Sequence, residues 1–382
     1  VEFQYFLPTK LVFGKATINQ IGIYAKQYGT KALVVTGKSS SKRSGALEKI
    51  VWSLEKEGVK PEIYDKVLPN PTFEEIENGA RFAMEVSADV IIGVGGGSAM
   101  DTAKGIAFKM KNEGDLAEYF EGKMAQNAVP IILVPTTSGT GSEGNNIAVM
   151  TNPKTNVKKG FRNPSIYPKV SIIDPELMTT MPKRITAFTG MDAFFHALES
   201  YISLRCQPFT EMYSLKAMSL IAENLEDAYN NGDDIEKRSC MALASNLAGI
   251  SIGLSGVSAL HAMEHPLSSF FGANHGEGLC PIAVPFLKYI KPHIVKKLAF
   301  LSTIFKINEN LSEDEKAERV IEWISNIIYK LNLPQRLEYF GVNKEDLGIL
   351  TKHVVEFMTH NLSTTPGNLN YEDIYKIYES AM

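Results

Sequence analysis

The sequence predicts two domains, an α/β domain built on a parallel sheet over residues 1–182 and an all-α domain over residues 183–382. Three observations carry this. Short apolar, β-branched runs alternate with helical patterns through the first half of the chain. The runs are continuously apolar rather than alternating, as in strands buried on both faces of a parallel sheet. After Met181-Pro182 no clear strand pattern remains and long helical periodicities take over.

The run ALVVTG (Ala32 to Gly37) is β-branched and ends in glycine, so it reads as a buried strand. Leu47, Ile50, Val51 and Leu54 recur at i, i+3, i+4 and i+7, one face of a helix. A weaker strand covers Glu62 to Val67, a turn follows at Pro69 to Pro71, and a helix covers Phe73 to Val86. DVIIGVGGGS (Asp89 to Ser98) is a strand running into a glycine loop, with a helix from Ala99. Pro130 to Thr137 and Val170 to Pro175 are further strands. In the second half, Phe209 to Leu225 is a long helix, the tail from Glu313 is several shorter helices, and Ser363 to Asn370 is a loop. Ser239 to Leu260 has no charged residue, but Asn246, five serines and three glycines make it a core helix or helix pair rather than a membrane span.

Bulk properties narrow the function. With 44% apolar and 21% charged residues, the chain has an ordinary globular balance. A formal net charge of -4 gives no basic footprint for nucleic acid. Three widely spaced cysteines, Cys206, Cys240 and Cys280, form no disulfide framework and no CxxC motif, which points to a reducing compartment. VEFQYFLPTK lacks the features of a signal peptide, so a cytoplasmic location is expected.

The loops at the strand ends suggest a dinucleotide. In GVGGGSAMD (Gly93 to Asp101) three glycines let the backbone approach a ligand, and the helix start offers free N–H groups to a pyrophosphate. By itself the segment reads better as a tight strand-to-helix turn with Ser98 as N-cap. TTSGTGSE (Thr136 to Glu143) crowds hydroxyls and glycines at a second strand end. At the first strand end, Gly37 is followed by Lys38, Ser39, Ser40, Ser41, Lys42 and Arg43. No acid stands there to repel a ribose 2′-phosphate, so NADP is expected over NAD if this loop holds the adenosine ribose.

A second constellation suggests a metal. Asp192 and His196 lie four apart, on one helix face; His261 and His265 repeat the spacing, and His275 follows. One Asp with three neutral imidazoles suits Fe(II) or Zn(II) and leaves room for an oxygen ligand. His265 is the histidine expected to stay outside the ligand set.

Taken together, GGGSAMD, PTTSGTGSE, GMDAFFHALE and LHAMEHPL…NHG resemble the iron-containing (group III) alcohol dehydrogenases, relatives of glycerol dehydrogenase and dehydroquinate synthase. The resemblance runs from FLPTKLVFG to TTPGNLNYEDI. It implies a dehydroquinate synthase-like fold, with a dinucleotide-binding α/β domain, a helical metal-binding domain and a catalytic cleft between them. It also implies a homodimer. Asp192, His196, His261 and His275 become the metal ligands, with Fe(2+) expected and Zn(2+) the alternative. His265 becomes a catalytic residue near the substrate, relaying a proton. Gly37, Asn70, Gly96, Gly97, Ser98, Asp101, Thr136, Thr137, Thr140 and Lys158 become cofactor contacts, joined by Ser39 and Asn145. Gly37, where NAD-preferring members often carry Asp, again favours NADP. Three departures, Phe194, Phe195 and Glu264, imply a bulkier or differently charged pocket wall.

The expected activity is hydride transfer between NADP(H) and a small primary alcohol or aldehyde. A polyol, lactaldehyde or hydroxy-acid dehydrogenase using the same site is the nearest alternative. A dehydroquinate synthase-like lyase is a further one, disfavoured by the few Arg and Lys around the metal segments. A non-enzymatic descendant is disfavoured by the intact ligand set.

Overall fold

A computed structural model describes residues 2–125, 127–307 and 310–382. The chain divides into two compact units. One comprises Phe6–Met181 with Gly232–Ala242; the other comprises Val1–Tyr5, Pro182–Asn231 and Leu243–Met382.

The first unit is built on a six-stranded parallel sheet. Its strands are β1 (Lys10–Phe13), β2 (Lys31–Gly37), β3 (Lys60–Val67), β4 (Val90–Gly95), β5 (Ile131–Pro135) and β8 (Val170–Ile173), in the spatial order β1-β8-β5-β4-β2-β3. Residues along β2 alternate between two cores: Leu33 and Val35 pack into one, Ala32 and Val34 into the other. Ile91 and Ile92 of β4 divide in the same way. Both faces are thus covered, which is why these strands are apolar throughout.

Three helices matter for the site. The helix α1 (Ala46–Lys56) buries Leu47, Ile50 and Leu54. The helix α2 (Phe73–Glu85) opens with a reciprocal capping box between Thr72 and Glu75. The helix α3 (Gly97–Lys109) is buried from Ala99 to Phe108. Two elements go beyond the sequence reading. The short edge strand β1 has mostly exposed residues and so carries little hydrophobic signal. The antiparallel hairpin of β6 (Ile147–Asn152) and β7 (Val157–Arg162) hides its signal among polar residues, burying Ala148, Met150 and Asn152 on alternate positions.

The second unit is helical. Its main helices are α4 (Lys183–Ile202), α5 (Pro208–Asn230), α6 (Ile235–Ser255), whose first residues belong to the sheet unit, α7 (Ala259–Phe271), α8 (His275–Ile304), α9 (Glu313–Lys330), α10 (Leu347–Phe357) and α11 (Tyr371–Ser380). The uncharged stretch is a helix pair: α6 and α7 meet at a bend of 105°. Among the described residues no single helix is long and apolar enough to cross a membrane. Arg238, near the start of α6, is fully buried and is satisfied by the carbonyls of Gly232 and Met181.

Candidate active site

The helical unit gathers its acid and imidazoles from three helices. Asp192 and His196 stand one turn apart on α4, His261 lies in the first turn of α7, and His275 is the first residue of α8. One ligand atom from each of the four lies within 4.8 Å of the others. From Asp192 Oδ1, the Nε2 atoms of His196, His261 and His275 are 3.8, 3.6 and 3.6 Å away. Four donors at about 2.1 Å around a tetrahedral metal lie roughly 3.4 Å from one another, so the cluster is close to the size a divalent ion requires. Asp192 Oδ1 and His261 Nε2 are buried and, among the described residues, make no hydrogen bond. Two such atoms facing one inner point are costly unless something occupies it. The residues fit a metal ion.

The electrostatics point the same way. Burial works against the Asp192 charge, yet His196, His261 and His275 hold its carboxyl well below the usual carboxylate range. Burial pulls His196 down to about 4, despite the opposing pull of Asp192. His261 also suffers desolvation, but Glu199 and Asp192 override it and push it up to about 10. The Asp192 carboxylate thus stays ionised where the three imidazoles meet it.

Two carboxylates behind the histidines were not read from the sequence as partners. His261 Nδ1 bonds Glu199, and His275 Nδ1 bonds Glu264. Glu199 was legible only as the position seven residues, two helical turns, after Asp192 on the same face of α4. Glu264 is no pocket wall, contrary to expectation: its carboxylate is fully buried and is taken by His275 and Ser268. Phe194 is no wall either. Two residues from Asp192 is about 200° round a helix, so Phe194 faces the opposite side and packs on Phe305 and Trp323. Phe195 is likewise fully buried, edge-on to Phe194. His265 lies beside the tetrad, its ring 5.6 Å from that of His275, and forms a separate group with Glu264 and His275.

In the sheet unit the glycine loop and the hydroxyl loop touch. A Cβ on Gly97 would fall 2.6 Å from Thr140 Cγ2, and one on Gly96 would fall 3.4 Å from Thr137 Oγ1. Gly95 has a φ of 146°, open to glycine only. A groove of about 350 Å³ is lined by Gly37, Lys38, Ser39 and Ser40 from the end of β2, by Val67 to Pro69, and by Gly96 to Ala99 at the start of α3. Asn70 follows directly in the left-handed conformation, φ 55°.

Other expected contacts serve the loop itself. Asp101 accepts from Ser142 Oγ at 2.6 Å and from the Val149 amide at 3.0 Å. Asn145 accepts from the Ile147 amide and donates to the Gly141 carbonyl. Thr136 is buried at the end of β5, and Lys158, buried on β7, lies within the field of Asp101. A residue the sequence reading missed ties them together. Lys104 is fully buried and donates to Ser142 O and Oγ, Asn145 Oδ1 and Ile147 O. Burial draws it down to about 8, against the pull of Asp101 and Glu143. Its position three after Asp101, on the loop-facing side of α3, was the available signal.

Comparison with known proteins places the chain among known families. Residues 8–175 match the family profile described as iron-containing alcohol dehydrogenase, and residues 186–382 match the C-terminal part of the Fe-containing alcohol dehydrogenase family. The chain is 33% identical to long-chain-alcohol dehydrogenase 1 of Geobacillus thermodenitrificans, over 96% of this chain and 94% of that one. It is also 33% identical to the 1,3-propanediol dehydrogenase of Citrobacter freundii (99% and 98%) and 30% identical to the NAD-dependent methanol dehydrogenase of Bacillus methanolicus (99% of each). Among solved structures, a 1,3-propanediol oxidoreductase superimposes with a TM-score of 0.95 at 32% identity, covering 100% of both chains. An archaeal Red Sea brine pool alcohol dehydrogenase superimposes at 0.94 and 32%, covering 100% of this chain and 99% of that one.

Proposed function

The chain belongs to the iron-containing alcohol dehydrogenase family, and from that premise we propose which residues run the reaction, which nicotinamide dinucleotide it uses and which alcohols it accepts. The enzyme is a metal-associated oxidoreductase acting on alcohols or aldehydes with a nicotinamide cofactor. In our reading Asp192, His196, His261 and His275 hold the metal, and the one observation that carries this is their convergence on a single buried point. When bound, the metal supplies Lewis acidity toward the alcohol or carbonyl oxygen and the nicotinamide accepts or delivers the hydride. The protein's share is to bind and orient. His265 lies next to the tetrad, and we assign it the relay of the alcohol proton.

The dinucleotide is assigned to the groove at the ends of β2 and β4, with the pyrophosphate over Gly96, Gly97 and Ser98 at the start of α3. Thr136, Thr137, Thr140 and Lys158 continue the site, while Asp101 and Asn145 act by bracing the loop. NADP is the preferred form in this reading. No groove-lining residue is acidic, and Lys38 and Ser39 stand where a 2′-phosphate would be welcome. Lys42 contributes less, because it already pairs with Asp65 at 3.1 Å. For the substrate, the 1,3-propanediol dehydrogenases among the relatives support a diol or other polyol ahead of a small primary alcohol. The names of the relatives, which include 1,3-propanediol, methanol and choline dehydrogenases, favour breadth. The three cysteines, free thiols in the structure, fit a reducing, cytoplasmic compartment, and the homodimer stays part of the proposal.

Metal analysis combined with kinetics tests this. His261→Ala should lose metal and turnover together, and His265→Gln should keep its metal and lose rate. NADP and NAD compared across methanol, butanol and 1,3-propanediol test the cofactor and substrate assignments. A metal-free His261→Ala enzyme with parental turnover would sink the reading of the tetrad.

A further inference from the structure

Two of the four tetrad residues, His261 and His275, are held from behind by a buried carboxylate. Glu199 is fully buried on α4. Its Oε2 takes His261 Nδ1, and its Oε1 accepts from the Ser258 amide at 2.9 Å, Ser258 Oγ at 2.6 Å and the His261 amide at 3.3 Å. Glu264, fully buried on α7, is built alike: Oε2 takes His275 Nδ1 and Oε1 accepts from Ser268 Oγ. Space is kept for it, since a Cβ on Gly278 would lie 2.9 Å from Glu264 Oε1 and 3.0 Å from its Cγ. The Ser268 hydroxyl also lies 3.1 Å from the Ala273 carbonyl, so it links the carboxylate to the turn before α8.

Burying two further carboxylates beside Asp192 costs solvation that a core built for packing alone would avoid. The arrangement has a purpose if a cation sits in front of the imidazoles. A carboxylate at Nδ1 keeps the proton on that nitrogen, leaves the Nε2 lone pair pointing inward, fixes the ring and raises its basicity. We propose that Glu199 and Glu264 are positioning residues for the metal, each fixing the tautomer and aim of one histidine, with Ser258 and Ser268 as the donors that anchor them. This rests on the tetrad being the metal site. Asp192, three neutral imidazoles and the two glutamates carry three negative charges, so a dication leaves the assembly at a net of one. Replacing either Glu by Gln keeps size and shape and removes one charge.

The test uses the full-length protein with Co(II) and Zn(II) as probes, each titrated against a chelator of known affinity. The Co(II) protein is also followed by its visible absorption. Glu199→Gln and Glu264→Gln are each expected to bind both metals about 10–100-fold more weakly than the parent, with a displaced Co(II) spectrum. Ser268→Ala, which leaves the carboxylate in place, should weaken binding by a smaller factor. Glu264 lies behind the partly exposed His275, so its variant serves if Glu199→Gln fails to fold. A purely structural role would lower the thermal stability of the metal-free protein and leave metal affinity and the Co(II) spectrum of the folded fraction unchanged. That result overturns the proposal. A parent that takes up neither metal defeats the tetrad reading itself, which is a separate outcome.

Discussion

Phe194 and Lys104 show how side-chain chemistry is redirected by position. Phe194 sits two residues from a proposed ligand, yet its ring belongs to the core with Phe305 and Trp323. Phe194→Ala should therefore cost about 3–5 kcal/mol of stability while leaving the KM for alcohols near the parental value, as denaturant titration and steady-state kinetics would show. Lys104 puts a charge in the core, and its folded-state value of about 8 lies below the 10.5 of an open chain. The unfolded chain then binds more protons between those values, so this group's contribution to stability rises as pH increases from 8 toward 10. The denaturation midpoint of the parent should climb over that interval relative to Lys104→Met, and parallel profiles would contradict the assignment. Glu199 and Glu264 belong here too: their residue types were visible, but their partners are 62 and 11 positions away in the chain.

At the scale of elements, the strand-loop-helix unit of β4 and α3 was readable because its apolar run, its glycines and the helical stretch that follows are all local. Its fit to the neighbouring loop was not. Gly97 has no room for a methyl group against Thr140, so Gly97→Ala should push the two loops apart. Overpacking of this kind costs about 1–3 kcal/mol, and the KM for the dinucleotide should rise by roughly tenfold with little change in metal content. Thr140→Ser in the same chain removes the offending methyl and should recover part of the loss. An unchanged KM in the single variant would mean that the loops do not share the dinucleotide. The strands β1, β6 and β7 escaped the sequence reading because an edge strand and a half-exposed hairpin lack the continuous apolar run that marks a central strand.

For the molecule as a whole, the helical unit draws its proposed ligands from α4, α7 and α8, so an ion there would tie three helices together. A ligand that binds only the folded state adds RT ln(1 + [L]/Kd), about 4 kcal/mol at a thousandfold excess over Kd. Chelation should therefore lower the thermal midpoint by several degrees, and restoring Fe(II) or Zn(II) should recover it. The Asp192→Ala variant should show neither response. A midpoint indifferent to chelator in a protein shown to have contained metal would argue that the helices are held by packing alone.

The strands β2, β3, β4, β5 and β8, the change to helices near residue 182, the glycine and hydroxyl loops and the Asp-His spacing on α4 were all present in the chain itself. Each depends on contacts within a few residues, where periodicity and backbone preference leave a trace. Which histidines converge, that Asp101 and Asn145 brace a loop, that Lys104 is buried among carbonyls and that two glutamates stand behind the imidazoles were decided only when distant segments packed together. Those relations are set by helix rotation and by steric fit at single glycines, quantities that depend on the partner as much as on the residue.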